Sequence, residues 1–139
     1  MSTLIKEVRI EAPPDMVWDA LRDFGAVHER LVPGFVVRSK LDGDVRTVTF
    51  FNGAVAREIL VGVDENARRL AYSVIDSALG CTVHMASAEV VADGDAACEF
   101  RWIVDVLPET AAARVDSLMT MGIGVIKQTM ESHATSACS

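Results

Sequence analysis

The chain opens on alternation. Leu4 to Glu11 (LIKEVRIE) interleaves apolar and charged residues with the period of a strand. Pro13-Pro14 stops it, and Pro14 suits the first turn of a helix, where a missing N–H costs nothing. Val17, Trp18, Leu21 and Phe24 then recur at helical spacing, and a second short helical piece covers Ala26 to Leu31 before Pro33-Gly34 breaks the chain. Strands follow: Phe35 to Leu41, Val45 to Phe51, Ala54 to Val63, Leu70 to Ile75, Thr82 to Val91 and Ala97 to Leu107. The links between them are short and rich in Asp, Asn and Gly, so neighbouring strands run antiparallel.

The period changes once more near the end. Glu109 to about His133 predicts one long helix, opened by Pro108. Ala111, Val115, Leu118, Gly122, Val125 and Thr129 form one stripe, with Met119, Ile123, Ile126 and Met130 beside it. Gly122 and Gly124 each cost such a helix about 1 kcal/mol relative to Ala. Close packing against a sheet would explain them, and so would room for something bound between helix and sheet. The order predicts an α+β fold in one domain over residues 1–139. A seven-stranded curved antiparallel sheet wraps around the long C-terminal helix, with two short helices after the first strand. One helix does not fill such a concave face along its length, so a cavity is expected between them.

Composition narrows the classes. Half of the 139 residues are hydrophobic and 24% are charged, a globular balance. The net charge of −7 argues against nucleic acid and against anionic membrane surfaces as partners. No apolar run approaches the ~20 residues of a membrane span, and no signal peptide is evident, so a cytoplasmic protein without membrane insertion is expected. Cys81, Cys98 and Cys138 have no metal-ligand spacing and read as reduced thiols; HExxH spacing is absent, and neither metal nor cofactor is expected. There is no nucleophile-elbow serine and no glycine-rich phosphate loop.

A set of segments along the whole chain, APPDMVWDALRDFGAVH, VPGF, VRTVTFFNGAVAREILVGVDENARRLAYSV and CEFRWIVDVLPE, resembles the START-like helix-grip superfamily. Within it, the similarity is to the polyketide cyclase/dehydratase and lipid-transport (SRPBCC) group. The resemblance implies a cavity between sheet and C-terminal helix that takes a small hydrophobic molecule. Relatives often carry a tryptophan between the first helix and the Pro-Gly pair; here Leu31 stands nearest that place.

Glu58 is the one carboxylate inside an otherwise apolar strand. Taking Asn52-Gly53 as a two-residue turn pairs Thr47 with Glu58 and Thr49 with Ala56, and puts these four on one face. Arg46, Val48, Phe50, Val55, Arg57 and Ile59 take the other. The resemblance makes the Glu58 face the concave one. There Glu58 has three roles open to it: a structural acid paired with an inward cation or hydroxyl, a ligand anchor, or a general acid or base. Tyr72 falls where the group often has a cavity-wall aromatic. Met85 and Ser87 are placed on the concave face with His84 outward, Trp102 alternates with core residues, and His28 is read as a surface residue near the mouth. The candidate ligand-binding set is Thr47, Thr49, Ala56, Glu58, Tyr72, Val74, Met85, Ser87, Trp102, Leu118, Met121, Gly122 and Val125. No catalytic residue is assigned; Glu58 and Tyr72 are the candidates. The expected partner is a lipid, polyketide or aromatic compound bound by a monomer or homodimer, with a cyclase or dehydratase using the same cavity as the alternative.

Overall fold

The computed structural model describes residues 2–138. Strand β1 (Ser2–Ile10) leads through Pro13 into α1 (Pro14–Arg22), a 3-10 turn (Phe24–Ala26) and the short α2 (Val27–Arg30). Six strands follow: β2 (Val36–Asp42), β3 (Val45–Phe50), β4 (Val55–Asp64), β5 (Arg69–Ser77), β6 (Val83–Asp93) and β7 (Ala97–Leu107). The 27-residue α3 (Ala112–Cys138) closes the chain. All seven strands form one antiparallel sheet, ordered β1-β7-β6-β5-β4-β3-β2. Every step after β1 is a hairpin, so the α+β order predicted from the periods is the order found.

Register shifts between Arg57 and Glu58 and between Leu60 and Gly62 bend the middle of the sheet. One leaves Ile75 of β5 unpaired and the other leaves Val61 of β4 unpaired. Such bulges add local twist and let a sheet curl around a helix. On the concave side, small residues make room for large ones. Ala86 and Ala88 lie opposite Val104 and Trp102 on β7 and opposite Tyr72 and Leu70 on β5.

The buried stripe of α3 runs through Val115, Met119, Ile126 and Met130, each at most 3% exposed. Burying side chains of this size contributes about 1.5–3 kcal/mol each. Leu118 and Val125, which the periodicity puts on the leading stripe, sit half-buried on its flank, and Met121 is exposed. The helix is therefore rotated toward its methionine–isoleucine row, which offers more apolar area than the alanine- and glycine-containing row. Polar contacts to β1 and its end hold that rotation: Lys6 Nζ meets Asp116 at 2.8 Å, Lys127 Nζ donates to the Arg9 carbonyl at 2.7 Å, and the Glu11 N–H donates to Glu131 at 2.9 Å. With α3 anchored on the β1 side, the region over β3–β5 is left to α1, α2 and the loop after them.

Helix α1 starts where Pro13 accepts the Met16 and Val17 N–H groups at 3.1 and 3.2 Å. It buries Val17, Trp18 and Leu21. The Trp18 indole and Arg22 both donate to Glu65 in the β4–β5 turn, at 2.8 and 2.9 Å, which closes that end of the fold. Among the described residues, no helix is long and apolar enough to cross a membrane.

Candidate functional site

The site begins with the β3–β4 turn. Phe50 accepts the Gly53 N–H at 2.9 Å and donates to the Ala54 carbonyl at 2.8 Å, so the loop holds three residues, Phe51, Asn52 and Gly53. Gly53 sits at φ +86°, a conformation that favours glycine, and the Asn52 Oδ1 accepts the Ala54 N–H at 3.1 Å. The expected two-residue turn is thus one residue short. A one-residue slip turns a strand over. Glu58 pairs with Arg46, and Ala56 pairs with Val48. Thr47 and Thr49 pair instead with Arg57 and Val55 and lie on the convex face, which corrects the four-residue face predicted above.

Arg46 is therefore the inward cation. Its Nε donates to Glu58 Oε1 at 2.7 Å, its Nη1 donates to the Phe24 carbonyl at 3.1 Å, and each residue of the pair is 7% exposed. The guanidinium carbon lies 3.8 Å from the Phe24 ring centroid and 5.1 Å from that of Tyr72. Two aromatic faces on a desolvated guanidinium add about 1–2 kcal/mol to its retention. Parity carried the signal for this: within VRTVTF, Val48 and Phe50 share the phase of Arg46, while the threonines share the other.

Next to the pair lies a hollow of about 70 Å³, walled by Tyr72, Trp102, Phe100, Leu70, Val48 and Ile126, with Leu31 and Phe35 from the loop side. Trp102 shares this wall with Tyr72. Burial and the nearby Glu58 charge push the Tyr72 phenol well above its usual range, so it is a neutral donor at physiological pH. Gly122 has a packing reason: a methyl there would lie 3.2 Å from Trp102 Cζ3 and 3.3 Å from Phe35 Cε2, so glycine lets both rings meet the helix. Gly124 has open space instead.

A second hollow of about 60 Å³ lies on the other side of Glu58, walled by Ala56, Val74, Phe50, Ser77, Leu79 and His84. The strand phase predicted for β6 is reversed there. His84, Ala86, Ala88 and Val90 face inward, while Met85 and Ser87 face out, with Met85 39% exposed. Ala86 pairs with Tyr72 and Val104, which settles the face, and Glu89 on the Met85 phase was the sequence cue. His84 Nδ1 is buried without a hydrogen-bond partner. Desolvation lowers the His84 pKa, partly offset by the Glu58 charge. His28, read as a surface residue, is half-buried, with Nε2 3.4 Å from Glu29.

A wider groove of about 470 Å³ runs along the outside, between Pro33, Gly34, Phe35, Phe51, Met121 and Val125. Phe35 belongs to both this groove and the larger hollow, and so stands between solvent and interior. The structure thus gathers Glu58, Tyr72 and Trp102 around the first hollow, and Ala56 and Val74 around the second. Met121 and Val125 are on the groove, and Leu118 packs half-buried against the core.

The lowered His84 pKa has a measurable consequence. Below about pH 6.5 the unfolded imidazole takes a proton that the folded one resists. The stability it contributes is fully present above that pH and is lost as pH falls through the folded-state value. Chemical unfolding between pH 7.5 and 5.5 should show wild type losing more stability than His84→Gln. Equal slopes would show that the imidazole is not desolvated. Glu65 and Glu131, held low by their hydrogen bonds to Trp18 and Lys127, act only below about pH 4.5.

A curved antiparallel sheet that clasps one long helix over a largely apolar hollow defines the START-like helix-grip class. The family described as polyketide cyclase/dehydrase and lipid transport matches residues 1–134, and the chain belongs to it. A protein of Thermobifida fusca, solved in solution, is 31% identical over 91% of each chain, with a TM-score of 0.75. A START superfamily protein from Mycobacterium smegmatis shares 13% identity, with 97% of this chain and 98% of that one covered at a TM-score of 0.75. Norcoclaurine synthase of Thalictrum flavum, in complex with a transition-state analogue, shares 20% identity over 99% and 96% of the two chains at a TM-score of 0.76. The last two likenesses are of fold. No curated protein matches the chain.

Proposed function

We propose that this protein binds a small, largely apolar molecule in the hollow between sheet and α3, with Arg46, Glu58 and Tyr72 fixing its polar end. The observation that carries this reading is the buried Arg46–Glu58 pair on the wall of an apolar hollow. Replacing a buried ion pair by packed apolar side chains is often neutral or stabilising. Stability alone therefore gives little reason to keep two charges beside unfilled space. A ligand gives one: the two hydrogen bonds of Arg46 engage only part of a guanidinium that carries five N–H groups.

The hollow as it stands takes a group of a few heavy atoms, well below the ~300–1,000 Å³ of drug-sized sites. A larger ligand would need Phe35, which walls both this hollow and the outer groove, to swing aside toward that groove. Binding is favoured over proton transfer by the state of the two catalytic candidates. Glu58 is committed to Arg46, and the Tyr72 phenol is held too high to serve as a base at neutral pH.

Native mass spectrometry of the protein purified from its own host tests the reading. A retained small apolar compound is expected, and Glu58→Gln should weaken its retention about tenfold by loosening Arg46. Unchanged retention in Glu58→Gln removes the anchor role. No retained compound, together with no thermal stabilisation by fatty acids or aromatic compounds, removes the binding function.

A further inference from the structure

The polar side chains on the wall of the larger hollow are those of Arg46, Glu58, Tyr72 and Trp102, and part of the surface it presents is polar. Three of the four bring donors. A guanidinium and an indole N–H can only donate, and a neutral phenol has one proton to give. Glu58 can only accept, and it already takes the Arg46 Nε proton at 2.7 Å. Tyr72 is the group left over. Its phenol stays neutral, because burial and the Glu58 charge oppose ionisation. Among the described residues, the sealed-in side-chain N and O atoms without a partner belong to His28, Ser39, His84 and Arg101. The Tyr72 hydroxyl is not one of them, and no acceptor among the described residues takes its proton, so the hydroxyl is open to the hollow that its ring walls. A donor facing an otherwise apolar space favours a ligand that accepts.

We propose that the end of the ligand seated in this hollow carries an uncharged carbonyl group, a ketone, aldehyde or ester, and that the Tyr72 hydroxyl is the donor that selects it. The inference rests on the ligand-binding reading above and names the chemistry of that ligand. Charge and proton count select the group. A carboxylate would set a second anion beside Glu58 with one guanidinium between the two, where desolvating an ion is expensive. An ammonium would add donors to a wall already rich in them, and would find the Glu58 charge neutralised by Arg46. A hydroxyl brings a proton of its own, and the one carboxylate on the wall is held by Arg46. A carbonyl oxygen accepts and brings no proton. Size agrees: about 70 Å³ takes an acetyl-sized group, with the rest of the molecule toward Phe35 and the outer groove. A ligand without the oxygen leaves the Tyr72 proton unpaired, and a site built to hydrogen-bond rejects such an analogue more strongly than a pocket senses a missing methylene.

Acetophenone, phenylethanol, ethylbenzene and benzoate share a ring and nearly one shape, and calorimetric titration with each of them tests this. Wild type should bind acetophenone about tenfold more tightly than ethylbenzene, and more tightly than the alcohol or the anion. In Tyr72→Phe the preference over ethylbenzene should narrow to about threefold or less. Infrared spectra of acetophenone isotope-labelled in its carbonyl supply a second readout. The bound C=O stretch should lie lower in wild type than in Tyr72→Phe, whereas a Tyr72 that only packs leaves it in place. If Tyr72→Phe does not fold, fluorotyrosine serves, because Tyr72 is the only tyrosine of the chain and the fluorinated phenol is a stronger donor. It should lower the stretch further and raise the ketone preference. Equal binding of acetophenone and ethylbenzene by wild type, tighter binding of benzoate or phenylethanol, or a preference and stretch that the change at Tyr72 does not move overturns the carbonyl assignment and leaves the binding function standing. If wild type binds none of these probes, the binding function falls and this inference with it.

Discussion

Glu58→Ala should lower the thermal midpoint by roughly 10–20 °C, corresponding to about 3–5 kcal/mol for a domain of this size. The variant removes the carboxylate from Arg46, a residue 7% exposed in the native fold, and leaves it the Phe24 carbonyl and two rings as partners. Those partners, and water drawn into the neighbouring hollow, set the lower end of the range. Burial decides the magnitude. The Arg22–Glu65 pair has a similar length, 2.9 Å, but its side chains are about half exposed, 48% and 54%, so breaking it should cost at most about 1 kcal/mol. The double variant Arg46→Met/Glu58→Leu should recover most of the loss, because it removes both desolvation penalties together. A melt of Glu58→Ala within 2 °C of wild type would mean that the charge pair is solvated.

Leu70→Ala should cost about 3–4 kcal/mol in urea unfolding. Leu70 is 1% exposed and walls the larger hollow. Truncation beside existing empty space enlarges it, and the loss grows by about 24 cal/mol for each Å³ that fails to collapse. The neighbours are poorly placed to move in: Ala88 is paired beside Leu70 in the sheet, and Tyr72 is held against Phe24 and Arg46. Toluene in excess should restore part of the stability by mass action on the folded state. A variant as stable as wild type would show that the hollow collapses around Leu70 and is no preformed site.

The two sites differ in how far the residues alone led to them. Glu58, Tyr72 and Trp102 were findable because each is an exception to its strand, an acid among apolar residues or a large aromatic at a central position. Arg46 and His84 were obscured by turn length and strand phase. A three-residue loop in place of a two-residue one turned β3 over relative to β4, which brought Arg46 inward and carried Thr47 and Thr49 out. In β6 a methionine looked like a cavity residue and a histidine like a surface one, yet Glu89 on the methionine phase and Ala86 and Ala88 on the histidine phase pointed the other way. On α3 and the 3-10 turn before it, the buried face takes in Ala111, Val115 and Gly122 of the expected stripe but centres on the Met119, Ile123, Ile126 and Met130 row beside it. Two apolar stripes lay side by side, and contacts from Lys6 and Lys127 to neighbouring elements chose between them.

The order of strands and helices was set locally. Proline stops, Asp- and Asn-Gly turns and the switch from a period of two to one of 3.6 are properties of a few neighbouring residues, and they sufficed for the seven-stranded sheet and its terminal helix. Which way each strand faces depends on hydrogen bonds at a turn, and what fills the interior depends on side chains more than ten residues apart. Arg46 finds Glu58 and Phe24, and Gly122 makes room for Trp102 and Phe35, only once the sheet has curled around α3. Those are packing decisions between distant segments, and only the assembled tertiary structure could make them.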